Sequence, residues 1–253
     1  MTLSITPGAS SGIGAATALH FASLGSDLAL VGRNLANLEA IRKQIADAGH
    51  TVKVALIVAD LSKEGDTISA VNKTVEAFGK LDVLVNSAGI LTRGTTENTT
   101  LQAYDELMNV NLRSVFHLIQ LSIPHLRRTK GAIVNVSSVT GLRAFPGVLA
   151  YNLSKAGLDQ LTRTAALELA ADGVRVNAVN PGVIVTDVHK RGGMGDQEYE
   201  KFLEHSKTTH AMGRVGEAIE VAKAIAFLAS DDSSFTTGAS LPVDGGRSQM
   251  CPR

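Results

Sequence analysis

Tyr151 and Lys155 stand four residues apart at the start of a stretch, residues 151–170, whose pattern predicts a helix. Positions i and i+4 share one face of a helix, so the phenol and the ammonium lie one above the other. A fixed positive charge beside a phenol favours the phenolate. The pair is therefore expected to lower the Tyr151 pKa and to serve as proton donor and acceptor near neutral pH. Ser138 follows an apolar run, residues 131–137, that reads as a buried strand, which brings its hydroxyl out at the strand's C-terminal end. A Tyr and a Lys four apart are also an ordinary solvated surface pair, so their meaning depends on what the rest of the chain builds around them.

Short runs rich in Val, Ile and Leu at residues 27–32, 52–60, 81–89, 131–138 and 174–182 alternate with helical patterns at 15–25, 34–49, 63–79, 101–126 and 151–170. Residues 3–6 add a short first strand, and segments 217–230 and 239–246 close the chain after a polar insertion. Apolar strands separated by helices imply a parallel sheet covered on both faces. No linker, repeat or change of composition divides the chain, so residues 1–253 are expected to form one α/β domain, a Rossmann-type doubly wound parallel sheet with helices on both faces. A chain of 253 residues with 44% hydrophobic residues is large enough for such a core.

Twenty-four basic and 24 acidic side chains cancel without a long run of either sign, which argues against a nucleic-acid or anionic-membrane surface. No apolar stretch reaches the length of a bilayer span, and the N-terminus carries no charged-then-apolar pattern. With Cys251 as the single cysteine, a reducing, cytoplasmic setting is expected.

Gly8, Gly12 and Gly14 fall at the first strand-to-helix turn. Glycine lets backbone approach a ligand closely, and free N–H groups at a helix start attract phosphate; strand, turn and helix together are the context of a dinucleotide site. At the end of the second strand stand Gly32 and Arg33, where a carboxylate would grip ribose hydroxyls and repel a phosphate. A guanidinium there suits a 2′-phosphate, favouring NADP(H) with NAD(H) still open, unless Arg33 merely ends the strand in water. Asp60 could accept from an adenine amine or cap the following helix. Asn86, Ser87, Ala88 and Gly89 could let a cofactor lie against the backbone or form a plain turn. Asn111, inside a predicted helix, is either idle or kinks the helix and holds a water.

Taken in order, Gly8-x-x-x-Gly12-x-Gly14, Asp60, Asn86-Ser87-Ala88-Gly89, Asn109-Val110-Asn111, Ser137-Ser138, Tyr151-x-x-x-Lys155, Asn180-Pro181-Gly182 to Thr186, and Val243-Asp244-Gly245-Gly246 resemble the short-chain dehydrogenase/reductase family over essentially the whole chain. The resemblance implies hydride exchange between a nicotinamide and a substrate carbon, with Tyr151 as general acid or base, Ser138 on the substrate oxygen, Lys155 on the ribose hydroxyls and Asn111 positioning a relay water. It further implies that Gly8, Ser10, Gly12, Ile13 and Gly14 cradle the pyrophosphate. Asp60, Leu61, Asn86, Ala88 and Gly89 would lie along the cofactor's other contacts, and Pro181, Gly182, Val183, Ile184 and Thr186 would meet the carboxamide. A homotetramer or homodimer burying the helices of Asn111 and Tyr151 is implied as well.

Two departures stand out. Pro7 occupies the place where the family usually has Thr; it removes a backbone donor and is unwelcome in a central strand. Ser87 replaces a frequent Asn. The polar insertion 187–214 resembles a mobile lid over the substrate, though a surface excursion is the alternative. Its His189, His205 and His210 match no metal-ligand spacing; no metal is expected, and the three are read as solvated. Leu91, Val139, Leu142, Phe145, Val183 and Met194 are the expected apolar pocket walls. The substrate is expected to be a small molecule, a medium-sized ketone or secondary alcohol. A 3-oxoacyl thioester is the alternative, with Arg127, Arg128 and Lys130 as a docking patch for an acidic carrier or as a solvated helix end. A non-catalytic NADPH-binding redox sensor is the alternative of another class.

Overall fold

The computed structural model describes residues 2–251. Seven strands form one parallel sheet in the order β3-β2-β1-β4-β5-β6-β7: β1 (Leu3–Pro7), β2 (Asp27–Gly32), β3 (Val54–Val58), β4 (Val83–Asn86), β5 (Ala132–Val136), β6 (Arg175–Pro181) and β7 (Ser240–Val243). The helices are α1 (Gly12–Ser23), α2 (Leu35–Asp47), α3 (Glu64–Phe78), α4 (Leu101–Met108), α5 (Ser114–Thr129), one-turn α6 (Val139–Leu142), α7 (Leu149–Leu169), short α8 (Val188–Arg191), α9 (Asp196–Thr208) and α10 (Ala218–Ala229).

Alternation along the strands explains why both faces are covered. In β2, Ala29 and Val31 face one core with Val71 of α3, Leu118 of α5 and Leu158 of α7. Leu28 and Leu30 face the other, with Phe21 of α1, Ile41 of α2 and Ile225 of α10. The single doubly wound domain expected from the apolar runs is the one formed.

The connection order reverses between β1 and β4, and the loops leaving those two strands border a crevice at their carboxyl ends, the usual ligand position in open α/β sheets. β1 is one residue longer than the apolar run implied, and it takes in Pro7. Pro7 pairs with Val31 of β2, whereas the ladder with β4 stops at Ile5 and Leu84. The reason is local. The Pro7 carbonyl accepts from Ser87 N at 3.2 Å on the β4 side, where the ring leaves no N–H to give in return.

The long helix expected over 101–126 is broken by a π turn, Asn109–Arg113, closed by Ser114 N–H donating to the Asn109 carbonyl five residues back.

Candidate active site

The carboxyl edge of the sheet opens into a cleft of about 1160 Å³. At one end the turn after β1 runs into α1. Gly8 has φ +87 and Gly12 φ +54. A Cβ on Gly8 would come 2.7 Å from Ala88 N, and one on Gly14 would strike the Gly8 carbonyl and Ser87 Oγ. Ser11, at the start of α1, makes no side-chain cap, so the first N–H groups of the helix remain available to the cleft. A glycine floor beneath an uncapped helix start fits the pyrophosphate of a dinucleotide. Ser10, Ile13, Arg33, Asp60, Leu61 and Ala88 line this part of the wall.

Arg33 is exposed, with its neighbour Asn34 capping α2 through Asn37 N. Asp60 does not cap α3, whose N-cap is Lys63. Its carboxylate accepts from Ser62 N and Oγ at 3.1 and 2.8 Å, bonds that hold its pKa below the usual value against the opposing effect of burial.

At the middle of the cleft stand Ser138, Tyr151 and Lys155. Ser138 begins α6, its Oγ accepting from Thr140 N at 3.1 Å, and its hydroxyl is near enough to Tyr151 to favour the phenolate. Lys155 is buried, its Nζ donating to the Val136 carbonyl at 2.8 Å and lying 5.6 Å from the Tyr151 ring centre. The helical spacing thus brings the pair to one face as expected, but the expected direction of the phenol's shift is reversed. Burial pushes Tyr151 up to about 12, against the opposing pull of the nearby Ser138 hydroxyl, and burial pulls Lys155 down to about 8, against the charge of Asp159. In the protein alone, desolvation outweighs the neighbouring ammonium.

Two residues of the expected set lie behind the wall. Asn111 is fully buried; its Oδ1 accepts from Ile90 N and its Nδ2 donates to the Ile90 carbonyl, each at 2.8 Å. The π turn aims the amide this way, bracing the loop that follows β4. Asn86 is turned away from the cleft. It stands in register with Asn135 of β5 and donates to its Oδ1 at 2.9 Å, and Asn135 donates in turn to Thr162 of α7. Its side chain therefore faces α7 inside the core, not the crevice.

Gly89, Pro181, Gly182, Val183, Ile184 and Thr186 all border the cleft. The Val183 N–H donates to His210 Nε2 at 3.1 Å, and His210 Nδ1 meets the Ser206 carbonyl. His210 is only 3% exposed, so it is a packed, neutral brace for the backbone beside Gly182 and not a solvated side chain; the backbone donor it satisfies left no trace in its spacing. His205 is exposed, whereas His189 lines the cleft. Burial and then the charges of Arg247 and Arg93 drive the His189 imidazole down to about 4. Among the described residues no group of three or more His, Cys, Asp or Glu is placed to hold a metal.

Of the expected pocket walls, Leu91, Val139, Phe145 and Val183 are present, while Leu142 and Met194 are not on the cleft. Segment 187–214 contributes Val188, His189, Arg191 and Phe202. It is fastened by Arg191 to Ser11 Oγ at 2.9 Å, by Glu198 to Arg93 at 2.7 Å, and by Tyr199, which accepts from Thr186 N and donates to the Thr186 carbonyl. Sequence reasoning missed Arg247, carried to the cleft by the turn after β7, and Asp159, a buried carboxyl on α7 that accepts from Asn180 Nδ2 at 3.0 Å.

Residues 8–248 match the family model described as enoyl-(acyl carrier protein) reductase. The chain is 39% identical to a 3-oxoacyl-(acyl-carrier-protein) reductase of Thermotoga maritima over 94% of each chain. It is 36% identical to a 2-(R)-hydroxypropyl-CoM dehydrogenase of Xanthobacter autotrophicus over 96% of this chain and 97% of that one. Among solved structures, it superposes with TM-score 0.94 and 38% identity on a short-chain dehydrogenase/reductase of unknown function from Caenorhabditis elegans, covering 99% of this chain and 96% of that one. A 3-ketoacyl-(acyl-carrier-protein) reductase from Brucella melitensis complexed with NADH gives TM-score 0.87 and 32% identity over 98% of both chains.

Proposed function

Because the chain belongs to the short-chain dehydrogenase/reductase family, oxidoreductases acting on CH–OH and C=O groups, we propose that it interconverts a ketone and a secondary alcohol with Tyr151 as the proton-transferring residue. The observation that carries this reading is the convergence of Ser138, Tyr151 and Lys155 in the cleft, with the Lys155 Nζ 5.6 Å from the centre of the phenol ring. A nicotinamide held in the cleft would supply a hydride to the carbonyl carbon in reduction and would take one up from the carbinol carbon in oxidation.

In reduction, the Ser138 hydroxyl donates to the carbonyl oxygen and polarises it. Tyr151 gives its proton to that oxygen as the C–O double bond opens, so hydride and proton together make the alcohol. The phenolate left behind is stabilised by the Lys155 ammonium, which would also hold the nicotinamide ribose hydroxyls. Asn111, with Oδ1 close to Gly89 where Lys155 Nζ also approaches, positions a water that links Lys155 to bulk solvent and returns the proton. In oxidation the same groups act in reverse.

NADP(H) is the favoured cofactor, with Arg33 meeting the 2′-phosphate; NAD(H) is the weaker alternative. The glycine floor and helix start hold the pyrophosphate, and segment 187–214 acts as the lid. The molecule works in the cytoplasm as a homotetramer or homodimer through α5 and α7, where Phe116, Leu153 and Leu167 stand exposed; no helix among the described residues is long and apolar enough to cross a membrane. A second reading, reduction of a 3-oxoacyl thioester, is favoured by the similarity to 3-oxoacyl-(acyl-carrier-protein) reductases. Of the basic run, Arg127 is already paired with Asp172 at 2.7 Å.

Replacing Tyr151 with Phe is the deciding experiment. Turnover of ketones with NADPH should fall by about 10² to 10⁴ while NADPH still binds. Unchanged behaviour would point instead to a protein that holds the cofactor without using it.

A further inference from the structure

Arg247 lines the same cavity as Ser138, Tyr151 and Phe145, at the end remote in sequence from the glycine turn. Its guanidinium carbon lies 4.8 Å from the centre of the Phe145 ring. Its Nε is buried and has no hydrogen-bond partner. Among the described residues no carboxylate forms an ion pair with it. The acid nearest in sequence, Asp244, accepts from Gly246 N at 3.0 Å and Ser248 N at 2.7 Å, and its charge acts on Arg247 without forming an ion pair with it.

The other cations of this region are already engaged. Arg93 is paired with Glu198, and Arg191 donates to Ser11 Oγ. His189, beside Arg247 and Arg93, is neutral at ordinary pH. One guanidinium is thus left half-buried in the cavity with no ion pair of its own, the charge of Asp244 only partly offsetting its desolvation. A guanidinium stays protonated throughout the working range, and a partly desolvated charge without a counterion is unfavourable. The guanidinium lies over Phe145 at cation–π distance, and no hydrogen bond among the described residues engages its side-chain N–H groups, which suit paired bonds to an oxyanion.

We infer that Arg247 anchors a negatively charged group of the substrate, and that the substrate is therefore a ketone or secondary alcohol bearing a carboxylate, sulfonate or phosphate on the arm that reaches Phe145. The assignment rests on the carbonyl–alcohol chemistry proposed for this site. It narrows an otherwise apolar pocket to anionic molecules, and it places selectivity on a residue separate from the proton-transferring group.

The test compares wild type with Arg247→Gln and Arg247→Lys on ketones of matched length ending in carboxylate, sulfonate, phosphate or methyl. Wild type should prefer one anionic series over the methyl-ended one. In Arg247→Gln, kcat/KM for that series should fall by about tenfold or more, mainly through KM, with Arg247→Lys recovering part of the loss. Methyl-ended ketones should stay within about twofold and the NADPH dissociation constant should not move. Equal losses on anionic and neutral ketones, no anionic preference in wild type, or weakened NADPH binding in Arg247→Gln would each overturn the inference. Should no ketone of either kind turn over, the proposed reaction fails, and the arginine is decided by binding. Thermal stabilisation of the NADPH-loaded protein by the anionic ketones, lost in Arg247→Gln, supports it; stabilisation equal in both proteins, or none in either, refutes it.

Discussion

The two ends of the cleft are made of different material. The glycine end is backbone: Gly8, Gly12 and Gly14, an uncapped helix start, and the Ser87–Ala88 strand end pressed against them. The far end is side chain: Leu91 and Arg93 after β4, Phe145 before α7, His189 and Phe202 in the segment after β6, and Arg247 after β7. Backbone packed this closely admits almost no substitution at Gly8 or Gly14, where a single Cβ collides with main chain, and at Gly12 the positive φ already strains any side chain. Four separate stretches contributing one or two side chains each can be changed one at a time without disturbing the sheet. The first construction suits a part of a ligand that never varies, and the second a part that does.

The sharpest way to break that contrast is Gly14→Ala. The added methyl strikes the Gly8 carbonyl, so we expect a stability loss of about 1–3 kcal/mol by thermal melting and at least tenfold weaker cofactor binding, roughly, by titration. An alanine tolerated without cost would mean the glycine end is looser than its geometry. Next in size is Arg33→Asp. Removing a charge-assisted contact and adding a repelling carboxylate should lower the NADPH-over-NADH preference by about tenfold or more. A wild type that already prefers NADH would remove the role given to Arg33.

Much of this contrast was legible from the amino-acid order. Strands buried on both faces must be nearly continuous in Val, Ile and Leu, so the α/β alternation was plain, and glycines before a helix are visible without coordinates. Directions of single amides were not. Asn86 and Asn111 have the right positions, yet strand pairing turns Asn86 towards Asn135, and a π turn aims Asn111 at Ile90. Periodicity cannot reveal a π turn one residue wider than its neighbours, nor that His210 would satisfy Val183 N, 27 positions away. Arg247 was hidden for the same reason: the sheet order, not spacing, brings the chain's end back to Phe145. Pro7 was read as a misfit for a central strand, and β1 accommodates it by ending its β4 ladder early.

A smaller effect sharpens the far end. The His189 value of about 4 lies below its ordinary 6.5. As pH falls, the unfolded chain takes up that proton first, so this contribution to stability is present above about pH 6.5 and lost on the way to about pH 4. His189→Asn should therefore show a shallower fall in Tm than wild type between about pH 7 and about pH 4.5. Parallel curves would mean that the imidazole is better solvated than its surroundings suggest. The smallest change expected is Pro7→Thr, which restores one N–H towards β4 but gives the unfolded chain more freedom. NADPH should bind about twofold more tightly, and equal dissociation constants would show that the proline is neutral.

The π turn carries a consequence of its own. One helical residue advances the spiral by about 100°, so the surplus residue between Asn109 and Arg113 sets the angular phase of everything preceding it relative to α5. Deleting a single residue there would leave a smooth, regular rod and a more uniform one. It would also swing the Asn111 amide off Ile90, unlatching the strand exit that borders Lys155. A local irregularity of this kind is in effect a timing mark, and straightening it would silence the site while leaving the helix better formed.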